Sequence, residues 1–139
     1  MILGIGNDLI DIRRIERLLD RFGNRFIKRI FTDLEYTKGQ KYLSINRSSW
    51  VAHYAKRFAA KEACVKALGT GFRSSISWQE IEVVSLSSGQ PTLNLIGEAW
   101  RRLKHITPPN MTAQIHLSLT DDYPFAHAIV VISAIHDKP

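Results

Sequence analysis

The sequence predicts a small α+β protein in which a mostly antiparallel sheet packs on one long central helix. The chain has 139 residues, enough for one globular core and short for two, so residues 1–139 are expected to form a single domain. Strand patterns occur in pairs separated by turn-forming residues, which is typical of antiparallel hairpins. The longest helical pattern runs from Trp50 to Leu68 and supplies the central helix.

The N-terminal part of the chain predicts one strand followed by a helix. Apolar and β-branched residues from Ile2 to Asp8 indicate a buried strand. From Ile12 the apolar residues recur at helical spacing, which predicts a helix that Gly23 ends. Phe26 to Phe31 is expected to add a further turn of helix.

Capping signals mark the next two helices. Thr32 and Glu35 have the spacing of a capping box and predict a helix that runs toward Leu43. The polar stretch Ser44–Ser49 is expected to form a loop before the long helix. Gly69 is placed to end the long helix, and a loop is expected from there to Ser75.

Turn-forming residues divide the C-terminal part into two hairpins. The stretches SSGQ and DDYPF are rich in turn formers, and Pro108 with Pro109 would break the helix that lies between the hairpins. The predicted elements are the strands Ile81–Leu86 and Pro91–Ile96, the helix Glu98–His105, and the strands Gln114–Thr120 and His127–Ile135.

The charge balance predicts a polyanionic partner. The formal charge is +6 and the isoelectric point is about 9.7, which suits nucleic acid, a membrane surface, an acidic protein or a phosphate-rich small molecule, and charge alone does not choose among them. Cys64 is the single cysteine, so no internal disulfide is expected. A signal-peptide pattern and an apolar run of about 20 residues are both missing, so we expect a cytoplasmic protein.

Asp8 lies where the first predicted strand ends, just before a basic helix. An aspartate at such a junction most often caps the helix, because its carboxylate accepts hydrogen bonds from free N–H groups of the first turn. Asp11 could serve as that cap as well. The position alone therefore favours capping over catalysis for Asp8.

The stretch RFAAKEACVKALGTG places charges on a helix lined with small residues. Glu62 and Lys66 are four residues apart and share a face, which allows either an ordinary surface ion pair or a functional pair. The alanines around these charges, Ala59, Ala60, Ala63 and Ala67, would let another element approach the helix closely. The following Gly-Thr-Gly could present N–H groups to a phosphate, or it could simply end the helix.

Four arginines recur through the first basic segment. The residues Arg14, Arg17, Arg21 and Arg25 are separated by three, four and four positions, which predicts one shared helical face. Such a face could be an ordinary charged surface. Four arginines in register also fit a docking site for an acidic partner.

Two separated motifs give the chain a family resemblance. GIGNDLIDIRRI near the N-terminus and KRFAAKEACVKALGTG in the middle together resemble the holo-acyl-carrier-protein synthases, which are small 4′-phosphopantetheinyl transferases. The SGQP turn and HLSLTDDYPFAHAIVVIS are similar to the hairpin and the closing strand pair of that family. The resemblance covers essentially the whole chain and implies the 4′-phosphopantetheinyl transferase fold.

The resemblance implies an activity and its partners. The family moves the phosphopantetheine arm of coenzyme A onto a serine of an apo acyl carrier protein, releases 3′,5′-ADP, and thereby supports fatty acid biosynthesis. Mg²⁺ is the implied cofactor, a homotrimer with coenzyme A bound between subunits is the implied assembly, and neither nucleic acid nor a membrane is an expected partner. The competing hypotheses are a basic nucleic-acid-binding module and a non-catalytic scaffold that docks acidic proteins.

The resemblance also assigns site residues. Asp8 and Glu62 are implied as Mg²⁺ ligands, and Lys66 joins them as the catalytic group that neutralises phosphate charge. Glu62 is the candidate acceptor of the serine proton. The arginine face would orient the acidic carrier protein. The implied coenzyme A contacts are Arg57, Lys66, Gly69, Thr70 and Gly71.

One position departs from the pattern of many relatives. They carry a histidine after the Ser-x-Thr of the penultimate strand, where this chain has Asp121. A coenzyme contact by that imidazole is therefore not carried over. The five histidines show no metal-ligand spacing, and Cys64 is expected to be a small buried residue.

Overall fold

The computed structural model describes residues 1–73 and 75–139, and within them it confirms the α+β class. Among the described helices, none combines the length and the apolar character needed to cross a membrane. Two short 3-10 helices occupy Gly71–Arg73 and Trp78–Glu80. The main elements are β1 (Ile2–Asp11), α1 (Ile12–Phe22), α2 (Asn24–Ile30), α3 (Asp33–Leu43), α4 (Arg47–Leu68), β2 (Ile81–Ser85), β3 (Pro91–Leu95), α5 (Gly97–Ile106), β4 (Met111–Asp122) and β5 (Phe125–His136).

The strands form one sheet and one separate hairpin. β1, β5 and β4 pair in that order, while β2 pairs with β3. Each of these pairings is antiparallel, and the β2–β3 and β4–β5 pairings are the two predicted hairpins. The register places Asp8 of β1 opposite Ala128 of β5, on the strand in the middle of the three-stranded sheet.

The long helix α4 packs on one face of the three-stranded sheet. The side chains of β5 on this face are fully buried, and small residues of α4 lie against the sheet. The buried β5 residues are Ala126, Ala128, Val130, Ile132 and Ala134. Small side chains on both elements allow the helix and the sheet to approach closely, which confirms the predicted central helix.

Backbone contact between β1 and α4 requires glycine at two positions. A Cβ atom added to Gly4 would lie 2.0 Å from the carbonyl oxygen of Ala67, and one added to Gly6 would lie 2.0 Å from that of Ala63. Any side chain there would force the strand off the helix. The glycines of the N-terminal motif therefore bring the Asp8 end of β1 alongside α4.

The first strand is three residues longer than predicted. β1 continues through Asp8 to Asp11 because its hydrogen bonds to β5 extend that far. Asp11 is the cap of α1, and it accepts a hydrogen bond from the N–H of Arg13 at 2.9 Å. The Arg13 side chain beside it holds the pKa of Asp11 at about 2. Asp8 is therefore free of the capping role that its sequence position favoured.

Local signals located most helix ends. Thr32 and Glu35 form the predicted capping box of α3, and Gly69 ends α4 in the left-handed conformation. α4 begins at Arg47 rather than Trp50, because Asn46 caps it, so the predicted loop Ser44–Ser49 is partly helical. The loop predicted to run to Ser75 contains a 3-10 turn and includes Ser74, which lies outside the described residues.

Candidate functional site

Asp8 and Lys66 meet where β1 runs along α4. Nζ of Lys66 lies 3.1 Å from Oδ1 of Asp8 and donates another hydrogen bond, 3.0 Å long, to the carbonyl of Asn7. The Asp8 side chain is mostly buried, whereas that of Lys66 is half exposed. Lys66 is thus paired with the strand, and the surface ion pair with Glu62 that the helix spacing allowed is replaced by a contact between elements.

The carboxylate of Glu62 shares this junction. Burial raises the pKa of Glu62 and the charge of Asp8 raises it further, while Lys66 and Arg14 act in the opposite direction. A neighbouring like charge shifts a pKa in this way only at short range, so the two carboxylates are electrostatically coupled. A cation bound between them would relieve the repulsion.

The paired carboxylates fit a Mg²⁺ ion that takes its other ligands from water and substrate. Mg²⁺ keeps several waters and is commonly held by one or two carboxylates together with phosphate oxygens. Across residues 1–73 and 75–139, no group of three or more Asp, Glu, His or Cys side chains gathers into a metal site. Asp8 and Glu62 are therefore suited to a phosphate-bound Mg²⁺, and unsuited to enclosing a metal by themselves.

The end of α4 uses most of the glycine-rich loop for capping. The N–H of Gly69 donates to the carbonyl of Lys66 at 3.1 Å, and that of Thr70 donates to the carbonyl of Val65 at 3.2 Å. These two N–H groups are consequently occupied by the helix. The hydroxyl of Thr70 is buried and has no hydrogen-bond partner in the described part of the chain, so it and Gly71 are the groups left for a ligand.

Arg57 lies on the opposite side of α4 from Lys66. They are nine positions apart in sequence, which corresponds to about two and a half helical turns. Arg57 lines a cavity of about 350 Å³ together with Lys38, Lys41 and Tyr42. Its Nε atom is buried without a partner among the described residues, and burial lowers its pKa. The structure therefore separates Arg57 from the junction of Asp8, Glu62 and Lys66.

The four arginines of the basic segment do not share one helix. Gly23, with a φ of 54°, ends α1, so Arg25 belongs to α2 and the predicted single helical face is wrong. Arg14 and Arg25 nevertheless line the same cavity, while Arg17 and Arg21 stand on the exposed surface of α1.

The cavity beside Arg14 and Arg25 has an apolar floor and a cationic rim. Its volume is about 440 Å³, and the guanidinium of Arg14 lies 5.6 Å from the centre of the Phe58 ring. Arg29 is the third cation on the rim. The apolar lining consists of Leu18, Phe22, Phe26, Ile30, Phe58 and Trp78. Charge and apolar surface are combined at this cavity.

Several cationic neighbours were missed from the sequence. Arg29 follows Arg25 by four residues on α2, and that spacing was an available signal. Lys38 and Lys41 reach Arg57 only because α3 packs against α4, and a contact of this kind leaves no local pattern. The pairing of Lys61 with Glu35 is likewise a long-range contact.

The structure shows the surroundings of Asp121 and Cys64. Asp121 forms an ion pair with Lys56 of α4 at 3.0 Å. Cys64 is fully buried, as predicted, and burial raises the pKa of its thiol to about 12. The thiol is therefore protonated at neutral pH and unreactive.

Comparison with known protein families gives a match over most of the chain. Residues 4–127 match the family model of the 4′-phosphopantetheinyl transferase superfamily. The holo-[acyl-carrier-protein] synthase of Phenylobacterium zucineum is 57% identical over 139 residues, which is 100% of this chain and 97% of that protein. That of Parvibaculum lavamentivorans is 56% identical and covers 97% of this chain and 98% of its own.

Solved structures give the same result. The holo-[acyl-carrier-protein] synthase of Neisseria meningitidis superposes with a TM-score of 0.80 at 33% identity, over 96% of this chain and 99% of that one. The enzyme of Bacillus anthracis, solved in complex with coenzyme A (3′,5′-ADP), gives 0.74 at 34% identity over 99% of both chains.

Proposed function

Because the chain belongs to the 4′-phosphopantetheinyl transferase superfamily, we propose that it is a holo-[acyl-carrier-protein] synthase. It transfers the 4′-phosphopantetheine arm of coenzyme A to a serine of apo acyl carrier protein, releases 3′,5′-ADP, and supports fatty acid biosynthesis in the cytoplasm. Residues 1–139 act as one transferase domain. The observation that carries the proposal is the meeting of Asp8, Glu62 and Lys66 at the β1–α4 contact.

The transfer replaces a phosphoanhydride bond of coenzyme A with a phosphate ester bond to serine. The serine oxygen of the carrier attacks the β-phosphorus of coenzyme A, and the bond from that phosphorus to the oxygen of departing 3′,5′-ADP breaks. The proton of the serine passes to the carboxylate of Glu62. Lys66 stabilises negative charge on the phosphates during the transfer.

Asp8 and Glu62 are the residues that would hold Mg²⁺. When bound there, the ion supplies neutralising charge for the pyrophosphate oxygens. Two observations support this placement, because they show that charges of both signs meet at the junction. The charge of Asp8 raises the pKa of Glu62, and Nζ of Lys66 lies 3.1 Å from Oδ1 of Asp8.

Coenzyme A is proposed to bind between two subunits. Lys66 and the groups at the end of α4 contact it from one subunit. The contacting groups there are Gly71 and the hydroxyl of Thr70, and Gly69 shapes the turn that presents them. Arg57, with Lys38 and Lys41 beside it, contacts the phosphates from the neighbouring subunit. The placement of Arg57 and Lys66 on opposite sides of α4 supports this division.

The outer face of the three-stranded sheet supports assembly into a homotrimer. This face lies opposite α4 and exposes large apolar side chains, including Ile5 and Leu9, each about 60% exposed. Phe125 and Ile129 continue the exposed apolar surface on β5. Contiguous exposed apolar surface of this kind marks interaction sites, and a second copy of the chain would cover it.

The carrier protein is proposed to dock at the cavity rimmed by Arg14, Arg25 and Arg29. Acyl carrier proteins are acidic, and an apolar cavity with a cationic rim can bind an acidic helix through both kinds of contact. Arg17 and Arg21 extend the positive surface along α1 and steer the carrier from further away. Arg14 also acts on the pKa of Glu62, so this docking surface borders the reactive junction.

The test is incubation of the purified protein with coenzyme A, Mg²⁺ and an apo acyl carrier protein. The carrier should gain the mass of the phosphopantetheine arm, with one equivalent of 3′,5′-ADP released. A carrier with alanine at the acceptor serine is the matched control and should stay unchanged. A carrier that binds without modification would favour a scaffold, and binding of nucleic acid without carrier binding would favour the basic module.

A further inference from the structure

A buried ion pair stands next to the proposed metal ligand Glu62. Nζ of Lys61, on α4, lies 2.7 Å from Oε1 of Glu35 in the first turn of α3. Both side chains are fully buried. Neither residue belongs to the proposed chemistry, and the pair lies within the protein core.

Hydrogen bonds satisfy both members of this pair. The ammonium of Lys61 also donates to the carbonyls of Trp78 at 3.1 Å and Ile81 at 2.5 Å, so its three N–H groups each have an acceptor. Glu35 accepts from the N–H of Thr32 at 2.9 Å and from that of Val83 at 2.8 Å. The network joins the start of α3, the middle of α4 and the first hairpin strand β2.

Stability alone is a weak reason for such a network. Removing two charges from water is expensive, and apolar side chains of similar size would often stabilise a core equally well. A fully satisfied buried pair instead fixes one arrangement of the elements that it joins, because any other arrangement leaves a charge without a partner. The pair therefore restricts how α4 can rotate and slide.

Glu62 lies between two restraints on α4. Lys61 and Ala63 flank it in sequence and point about 200° apart around the helix. Lys61 is anchored to α3 and β2, while the carbonyl of Ala63 touches Gly6 of β1. Rotation of α4 in either direction would break one of these contacts.

We propose that Lys61 and Glu35 are positioning residues that hold Glu62 against Asp8. The charge of Asp8 repels the carboxylate of Glu62, so the two acids would separate if α4 were free to turn. The buried pair opposes this and keeps both oxygen ligands within reach of one Mg²⁺. This inference rests on the proposed role of Asp8 and Glu62 in binding the metal.

The test compares metal binding by variants of the full chain. Mn²⁺ serves as the probe, and its binding in the presence of coenzyme A, whose phosphates complete the site, is measured by water-proton relaxation, alongside the Mg²⁺ dependence of carrier modification. Lys61→Met removes the ammonium, and Glu35→Gln with Lys61→Met removes both charges and so avoids an unpaired buried carboxylate. We expect each variant to bind Mn²⁺ on the order of tenfold more weakly, the scale of losing a residue that supports a metal ligand. The KM for coenzyme A should change little.

Two controls separate positioning from other effects. Leu117→Ala, in β4, destabilises the core outside the network and should leave Mn²⁺ binding unchanged. Glu62→Gln should weaken Mn²⁺ binding directly. If Glu62→Gln binds Mn²⁺ normally, the proposed metal site is wrong. If Glu62→Gln weakens binding while the Lys61 variants do not, or if neither Lys61 variant folds, the positioning inference is overturned.

Discussion

The two sides of α4 carry different chemistry. The side facing β1 brings Glu62 and Lys66 to Asp8, so charges of both signs meet at one junction. On the opposite side Arg57 shares a cavity with Lys38 and Lys41, and the charged groups lining it are all cations. A mixed junction can hold a metal and move a proton, whereas a cationic cavity can only hold an anion. Under the proposed function, each side is one half of a site that two subunits complete.

Removing one carboxylate from the mixed junction should have the largest effect. Asp8→Asn and Glu62→Gln each delete a charge at nearly constant volume. Each should lower turnover by on the order of a hundredfold or more, the scale of losing one group that stabilises a charged transition state. Circular dichroism should show a retained fold. Near-wild-type turnover of either variant at limiting Mg²⁺ would remove that residue from the metal site.

Alanine variants on the two sides should change different kinetic constants. Lys66→Ala should lower kcat about tenfold or more, because its charge acts on the phosphates during transfer. Arg57→Ala should mainly raise the KM for coenzyme A, because a binding contact is lost equally from the ground and transition states. The measurement is a full titration with coenzyme A at saturating carrier. Equal effects of both variants on the same constant would contradict the division.

Arginine reversal should test carrier docking without disturbing either half of the site. Arg25→Glu, at the rim of the cavity, should raise the KM for the carrier more than Arg21→Glu, which is exposed on α1. Salt should reduce the difference, because the Debye length falls from about 10 Å at 0.1 M to about 3 Å at 1 M. Titration of the carrier at two salt concentrations gives the result. If Arg25→Glu instead loses its affinity for coenzyme A, Arg25 belongs to the coenzyme site and the proposed docking role is wrong.

The smallest expected effect is on stability. Burial raises the pKa of Glu62 above its unfolded value of about 4.3. The stability that this shift contributes is present below that value and is lost as pH rises through the folded pKa. At neutral pH the wild type therefore carries an unfavourable charge, and Glu62→Gln should have the higher Tm. The Tm difference, measured with a chelator from pH 4 to 8, should grow with pH. A constant or reversed difference would contradict the raised pKa of Glu62.

Local chemistry made most of the fold predictable. The capping box of Thr32 and Glu35 and the helix stops at Gly23 and Gly69 depend on neighbours in sequence, and each was placed correctly. The end of β1 was misplaced because its last three residues are held by pairing with β5, over 100 residues away in sequence. The start of α4 was missed because Asn46 was grouped with a polar loop.

The site was predictable only where its residues stand in motifs. Asp8, Glu62 and Lys66 were identified by two separated motifs, and the β1–α4 contact brings them together. Helical spacing alone puts Arg57 on the side of α4 opposite Lys66. The family resemblance nevertheless implied that both residues contact coenzyme A. No sequence pattern predicted the pairing of Glu35 with Lys61, because α3 and α4 meet only in the folded chain.

A mixing experiment tests the division of the site most directly. Lys66→Ala and Arg57→Ala subunits are unfolded together and refolded, so that the proposed trimers contain both. If one subunit supplies Lys66 and its neighbour supplies Arg57, about a quarter of the clefts in random trimers regain both wild-type residues. The account predicts that the mixture is more active than either variant refolded alone, with the coenzyme A KM of the wild type in the recovered fraction. Activity equal to the average of the two separate variants would contradict a site shared between subunits.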